Sequence, residues 1–369
     1  YQTMSTQQTI STSKQVCVIT NVDSLLGYAL AYRFLEAIRN NEDPEAQGMR
    51  KLRILCRETR GLGLKRLEEM GAEIQEVNYR EEKKLGEALR NVHSVILIPE
   101  NSSERLKEAE NLIKAAKQQD VEHFGLMSIV GVDRVHQNED ANSNEFRNLK
   151  EYHQIEKKVK ETFGGDKHCI CRHQIFNQVY YFLAPQIEGE NKFPVPVKKD
   201  CKWGSVNMID VVEAVYRLAR KQHQQQRNGK DVDTFYHKNV YDFTMPRTLN
   251  GQDMAREVGQ GLGREDLQFE QVSDQDFKKQ LERMREDRRF KDRTDNNGKI
   301  EEGRDGWWSV PIGKFLNEQN IETMMEFWRL ANKGQQDNSS DDLKKILERH
   351  PQGLKEYFKT NREQFKQFK

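Results

Sequence analysis

Long apolar runs are missing from this chain. No stretch approaches the roughly eighteen residues of a membrane span, so no membrane segment is expected. An excess of one charge is missing too: 60 basic residues face 59 acidic ones, for a net charge of +1. The two signs are interspersed. The lack of a basic stripe argues against nucleic acid, and the lack of an acidic tail against a cationic partner. A charge near zero also removes long-range repulsion between copies, which permits self-association. Cysteines are few: Cys17, Cys56, Cys169, Cys171 and Cys201. None forms a C-x-x-C pair and no Cys/His spacing suits zinc, so no metal is expected. Residues 1–14 are rich in Ser, Thr and Gln and lack the apolar stretch of a secretory signal. They read as a disordered arm, with cytoplasmic residence as the default expectation.

What is present is a hydrophilic chain of 369 residues, 35% apolar and 32% charged, with room for a sizeable core. Apolar β-type runs near residues 16–20, 53–57, 73–77, 94–98, 123–128 and 168–172 alternate with helical periodicity near 28–39, 63–70, 83–90, 104–118 and 152–163. Such alternation predicts an α/β fold: a doubly wound parallel sheet with helices on both faces. We place this domain at 15–220 and a smaller, mostly helical C-terminal subdomain at 221–369, with a cleft between them. Residues 285–305 read as a charged loop, and short strands are expected near 235–236 and 240–243. Cys17 and Cys56 fall in apolar strands and read as buried thiols. Cys169 and Cys171, two apart in a strand, face one side. Cys201 follows Lys198-Lys199-Asp200 and reads as the most exposed thiol, open to an intermolecular disulfide.

The segment Thr20-Asn21-Val22-Asp23-Ser24-Leu25-Leu26-Gly27 joins the first strand to the first helix. A dinucleotide-binding protein places three glycines there, for the turn, for close approach to the pyrophosphate and for helix–strand packing. Only the packing glycine stands here, as Gly27. Asn tolerates a left-handed backbone, so Asn21 keeps the turn possible. Ser24 puts a side chain where backbone would meet phosphate, and Asp23 adds a negative charge. One such repulsion at about 5 Å and an effective dielectric of about 20 costs about 3 kcal/mol, or roughly a hundredfold in affinity. The helix N-terminus still offers N–H groups.

Four further segments carry a resemblance: Asn111–Ala116 with Val121–Phe124 and Ser128; Tyr152–Glu156 with Gly164-Gly165, Arg172 and Phe176-Asn177; Trp203–Val212; and Met245–Ala255. In this order they resemble the NmrA-like family of atypical short-chain dehydrogenase/reductase proteins, over residues 15–365. The resemblance implies a Rossmann domain with a C-terminal subdomain. It also implies NADP(H) or NAD(H) binding, and either reductase activity or a sensing and co-regulatory role. On it, Asn21, Ser24, Gly27, Arg57 and Ser128 are the cofactor-site candidates. Arg57, after the second strand, would favour NADP, and a solvated Arg at a strand end is the alternative reading. Asn78 stands where an acidic residue usually meets the adenine side.

Catalytic candidates are absent. A short-chain reductase sets a Lys four residues after a Tyr on one helix face, where it lowers the Tyr pKa. Here Glu156 follows Tyr152, and a carboxylate would raise that pKa. His153 could donate near the cleft but reads as surface. No Ser/His/Asp set or carboxylate pair stands out. The sequence therefore favours a non-catalytic protein with no effective cofactor, working through association with copies of itself or with a regulatory protein. The alternative is an NAD(P)H-binding redox sensor or NADPH-dependent reductase.

Overall fold

The computed structural model describes residues 14–42, 49–59, 63–137, 143–228, 238–291, 312–366 and 368. The first half alternates β1 (Val16–Thr20), α1 (Leu25–Arg39), β2 (Lys51–Cys56), α2 (Leu64–Glu69), β3 (Glu73–Glu76), α3 (Glu82–Ala88), β4 (Val92–Leu97), α4 (Arg105–Gln118), β5 (His123–Ile129), α5 (Arg147–Thr162) and β6 (His168–His173). All six expected strands appear, with ends shifted by two residues or fewer. α1 and α5 each start earlier than periodicity suggests, at Leu25 and Arg147.

The second half begins with β7 (Ile175–Phe176), α6 (Ala184–Glu190), β8 (Lys192–Val195), β9 (Lys202–Trp203), β10 (Ser205–Val206) and α7 (Met208–Asn228). β11 (Val240–Phe243), β12 (Leu249–Asn250), α8 (Gly251–Leu262), β13 (Gln268–Gln271), α9 (Asp274–Glu286) and α10 (Arg288–Lys291) follow. The chain closes with α11 (Glu318–Asn332), α12 (Asp342–Leu347), α13 (Leu354–Thr360) and α14 (Arg362–Lys366). The expected charged loop at 285–305 is, where it is described, helical except at the extended Asp287, lying in the last turn of α9 and in α10. Its remainder, the arm at 1–13 and the strand expected at 235–236 lie outside the described residues.

Seven strands form one sheet in the order β11-β6-β5-β4-β1-β2-β3, every pairing parallel. This is the doubly wound Rossmann arrangement. Its order reverses between β1 and β4, which opens a crevice at their carboxyl ends. The seventh strand comes from beyond residue 220, so part of the chain assigned by sequence to the C-terminal subdomain completes the sheet.

Strand side chains alternate between two cores, as period two requires. Cys17, Ile19 and Ile54 pack with α1, α2, α7 and α12 on one face. Val16, Val18 and Val95 pack with α3, α4 and α5 on the other. A third core fills the C-terminal half, where Trp203 and Trp328 meet edge to face at 5.8 Å. Two buried polar groups fix that half to the sheet. Glu326 of α11 accepts from Asn148 N (3.0 Å), Asn148 Nδ2 (2.7 Å) and Leu149 N (2.8 Å), so a carboxylate from another helix caps α5. Arg105 of α4, wholly buried, donates to Glu100 O (2.9 Å), Asn148 Oδ1 (2.9 Å), Glu151 Oε2 (3.1 Å) and Thr323 Oγ1 (3.3 Å).

Candidate functional site

The crevice is a cavity of about 480 Å³ running from the β1–α1 loop to α11. At its loop end the backbone turns at Asn21, which adopts φ 50°. Its Nδ2 donates to Pro99 O at 2.9 Å, tying the turn to the end of β4. Asn holds this left-handed geometry where a β-branched residue would not. Ser24 then caps α1: its Oγ accepts from Gly27 N at 3.1 Å and donates to Asn21 O at 2.7 Å. Gly27 is required by space. A Cβ there would fall 2.8 Å from Val22 Cα and closer still to the Asn21 carbonyl oxygen. It packs α1 against the loop, as its position in the sequence suggests.

Acidic groups crowd the same end. Arg57 ion-pairs with Glu108 and lies 3.4 Å from Glu100 Oε2. Glu108 also accepts from Ser102 Oγ at 2.7 Å. Burial pushes the Glu100 carboxyl up to about 7; Arg57 opposes the shift and Asp23 adds to it. Burial likewise raises Asp23, against its own backbone hydrogen bond and Arg57. Glu100 Oε1 and Asp23 Oδ1 are enclosed and make no hydrogen bond within normal geometry, although the Tyr79 hydroxyl stands beside Glu100. Burial would lower the Arg57 pKa, but Glu100 and Glu108 hold it above its ordinary value.

The far wall is mostly apolar: Met127, Ile129, Phe176, Phe182, Met324 and Phe327, with Tyr152 among them. The Tyr152 ring lies 5.0 Å from the Arg105 guanidinium carbon, a cation–π contact. Its pKa is raised, but the cause differs from the sequence expectation. Burial dominates, Arg105 opposes it, and Glu151 and Glu100 add to it. Glu156 is instead held by Arg172.

A family model of the NmrA-like family matches residues 45–306. The chain belongs to the NmrA-like family. No curated protein matches it in sequence. Among solved structures it is similar to the NADPH-dependent quinone oxidoreductase QOR2 of Escherichia coli in complex with NADPH: 17% identity, TM-score 0.64, 93% of this chain and 99% of that one. It is similar to the Citrobacter triphenylmethane reductase complexed with NADP(H): 14% identity, TM-score 0.65, 94% and 99%. It is also similar to NmrA, a negative transcriptional regulator, in complex with NAD: 11% identity, TM-score 0.63, 94% and 95%. At these identities the likeness shows the fold. The family match starts past the β1–α1 loop, so the loop's departures rest on its own geometry.

Of the residues expected in an NmrA-like cofactor site, Asn21, Ser24 and Arg57 line the cavity together. Gly27 packs beneath them. Ser128 is wholly buried and does not line the cavity; its strand neighbours Met127 and Ile129 do. His153 does not line it either. Asn78 closes a turn, donating to Glu81 Oε1 and accepting from Arg80 N, both at 3.0 Å. Cys169 and Cys171 face one side, with sulfurs 3.8 Å apart. Cys201 is the least buried cysteine, but its thiol donates to Asn332 O at 3.7 Å and packs against the C-terminal core. The residues that sequence reasoning missed are Glu100, Glu108 and Arg105. Each sits just after β4 or in α4. The dense charge of that stretch is the only sequence signal they give.

Proposed function

We propose that this NmrA-like protein does not hold a dinucleotide in the manner of its cofactor-binding neighbours and acts through association with other protein surfaces. The observation that carries this reading is the β1–α1 loop end. Ser24 Oγ occupies the Gly27 amide, and Arg57 is engaged by Glu108 and Glu100. Asp23 and Glu100 bring negative charge where a pyrophosphate would bring more. Tyr152 has no Lys four residues on, so the proton relay of a short-chain reductase lacks its partner.

The neighbours divide between NADPH-dependent reductases and a transcriptional regulator. With no Lys four residues after Tyr152, we read this chain as nearer the regulatory type, with a second copy or a regulatory protein as its partner. The regulator among the neighbours is itself in complex with NAD, so the loop bears on the cofactor and not on this choice. A net charge of +1 gives copies little reason to repel. The hydrogen-bonded Cys201 thiol favours non-covalent contact over a disulfide. The reductase or redox-sensor reading keeps one observation in its favour, an open cavity at the sheet's switch point.

Titration of the purified chain with NADPH and NADH, followed by nucleotide fluorescence and thermal shift, separates the two. Absence of saturation through the micromolar range is expected. Micromolar binding of either nucleotide overturns the proposal. Light scattering across a concentration series, with and without reductant, reads the association. Particles larger than one chain in both conditions are expected, and a strict monomer counts against self-association.

A further inference from the structure

We infer that the cleft accepts a small organic cation, an ammonium or amidinium on an apolar frame, with its charge seated between Asp23 and Glu100. The inference rests on the reading above, that no dinucleotide pyrophosphate fills this end of the cavity.

Two observations meet here. Glu100 is only 8% exposed, lines the cavity, and leaves Oε1 without a hydrogen bond; Asp23 lines the same end and leaves Oδ1 likewise. An enclosed carboxylate oxygen without a donor is costly. The cavity's described basic side chain, Arg57, is already divided between Glu108 and Glu100 Oε2. Beyond Arg57 the chain offers Glu100 the Tyr79 hydroxyl. Further donors for this doubly acidic end would come from a ligand, and an ammonium carries three on one centre. The rest of the ligand is set by the wall. Met127, Ile129, Phe176, Phe182, Met324 and Phe327 present hydrocarbon and ring faces. About 480 Å³ suits a ring-sized organic molecule.

Competing occupants fit less well. An anion would meet Asp23 and Glu100 head on. A neutral ligand would satisfy the acceptors without answering their charge. A bare metal ion finds no cluster of three or more His, Cys, Asp or Glu ligands among the described residues.

Calorimetric titration of the full chain at pH 7.5 tests this with 4-phenylbutylamine, 4-phenylbutyrate and NADPH as probes. The amine is expected to bind at least tenfold more tightly than the carboxylate of the same frame. Asp23→Asn and Glu100→Gln are each expected to weaken the amine tenfold or more at unchanged circular dichroism. Glu161→Gln, an exposed carboxylate on α5, should leave it alone. If either site variant misfolds, the comparison of amine with carboxylate on the unaltered chain still decides. Equal binding of the two, or no binding of the amine at millimolar concentration, overturns this inference and leaves the non-dinucleotide reading standing. Micromolar binding of NADPH overturns that reading and this inference with it.

Discussion

Arg172 grips Glu156 with two nitrogens, Nε to Oε1 at 2.8 Å and Nη2 to Oε2 at 2.7 Å, and the carboxylate is wholly buried. Arg172 Nη1 also donates to Asp133 Oδ2 at 3.0 Å. Glu156 occupies the position where a short-chain reductase carries its lysine. Here the position ties α5 to β6. A change of role at one residue therefore changes both chemistry and packing.

Introducing the short-chain reductase lysine should fail for that reason. Glu156→Lys places an ammonium against the buried Arg172 guanidinium. Breaking a buried pair costs about 3–5 kcal/mol before the new repulsion is counted. Chemical denaturation should show a loss of at least that size, and NADPH oxidation should not appear with quinone acceptors. A folded, active Glu156→Lys protein would contradict this account.

Glu326 offers a second structural test. It gives α5 the N-terminal cap that Phe146 cannot supply. Burial raises its pKa against the hydrogen bonds from Asn148 and Leu149, so the carboxylate sits where its cost and its use are both high. Glu326→Ala strands those donors and should cost about 2–3 kcal/mol. Glu326→Gln keeps an acceptor and should cost less. Urea midpoints for the two variants check the order.

What the sequence made legible follows the range of the interactions. β1, the left-handed turn at Asn21 and the packing role of Gly27 all depend on residues within a few positions of each other, and each reads correctly from the chain. The apolar periodicity, which starts only near residue 28, hides that Ser24 caps α1. The charge around Arg57 depends on Glu100 and Glu108, 43 and 51 positions away. No local pattern announces that β4 and α4 bring them to β2. The Tyr152 expectation erred in the same way. It assumed that an i,i+4 neighbour on the helix governs the pKa, whereas Arg172, sixteen residues on, takes that neighbour away. Strand parity sets where Ser128 stands: Met127 and Ile129 face the cavity, and Ser128 does not line it.

The loop itself can be rebuilt towards phosphate. Ser24→Gly frees the Gly27 amide for a few tenths of a kcal/mol in cap stability. Asp23→Asn removes about 3 kcal/mol of repulsion at roughly 5 Å. The double variant should gain NADPH affinity by about a hundredfold over the unaltered chain. Fluorescence titration reads the gain. An unchanged affinity would shift the blame to Glu100 and Glu108.

Stability should also report Glu100. Its carboxyl is raised from the ordinary 4.5 to about 7 in the folded chain. Between those values the folded state holds more protons than the unfolded state, so stability falls as pH rises through this window and levels off above it. Full loss of the proton costs roughly 3 kcal/mol. The groups facing it fix the sign. Asp23, itself raised, adds a slope in the same direction, and Glu108 opposes ionisation. Arg57 and the Tyr79 hydroxyl favour the ionised form without titrating in the window. Urea unfolding at pH 5 and pH 8 should show the unaltered chain losing stability that Glu100→Gln retains. Identical pH slopes in the two proteins would mean that the carboxyl is solvated and that the acidic end of the cleft is open to water. The site would then lose its electrostatic argument against a pyrophosphate, since screening by water weakens both effects together.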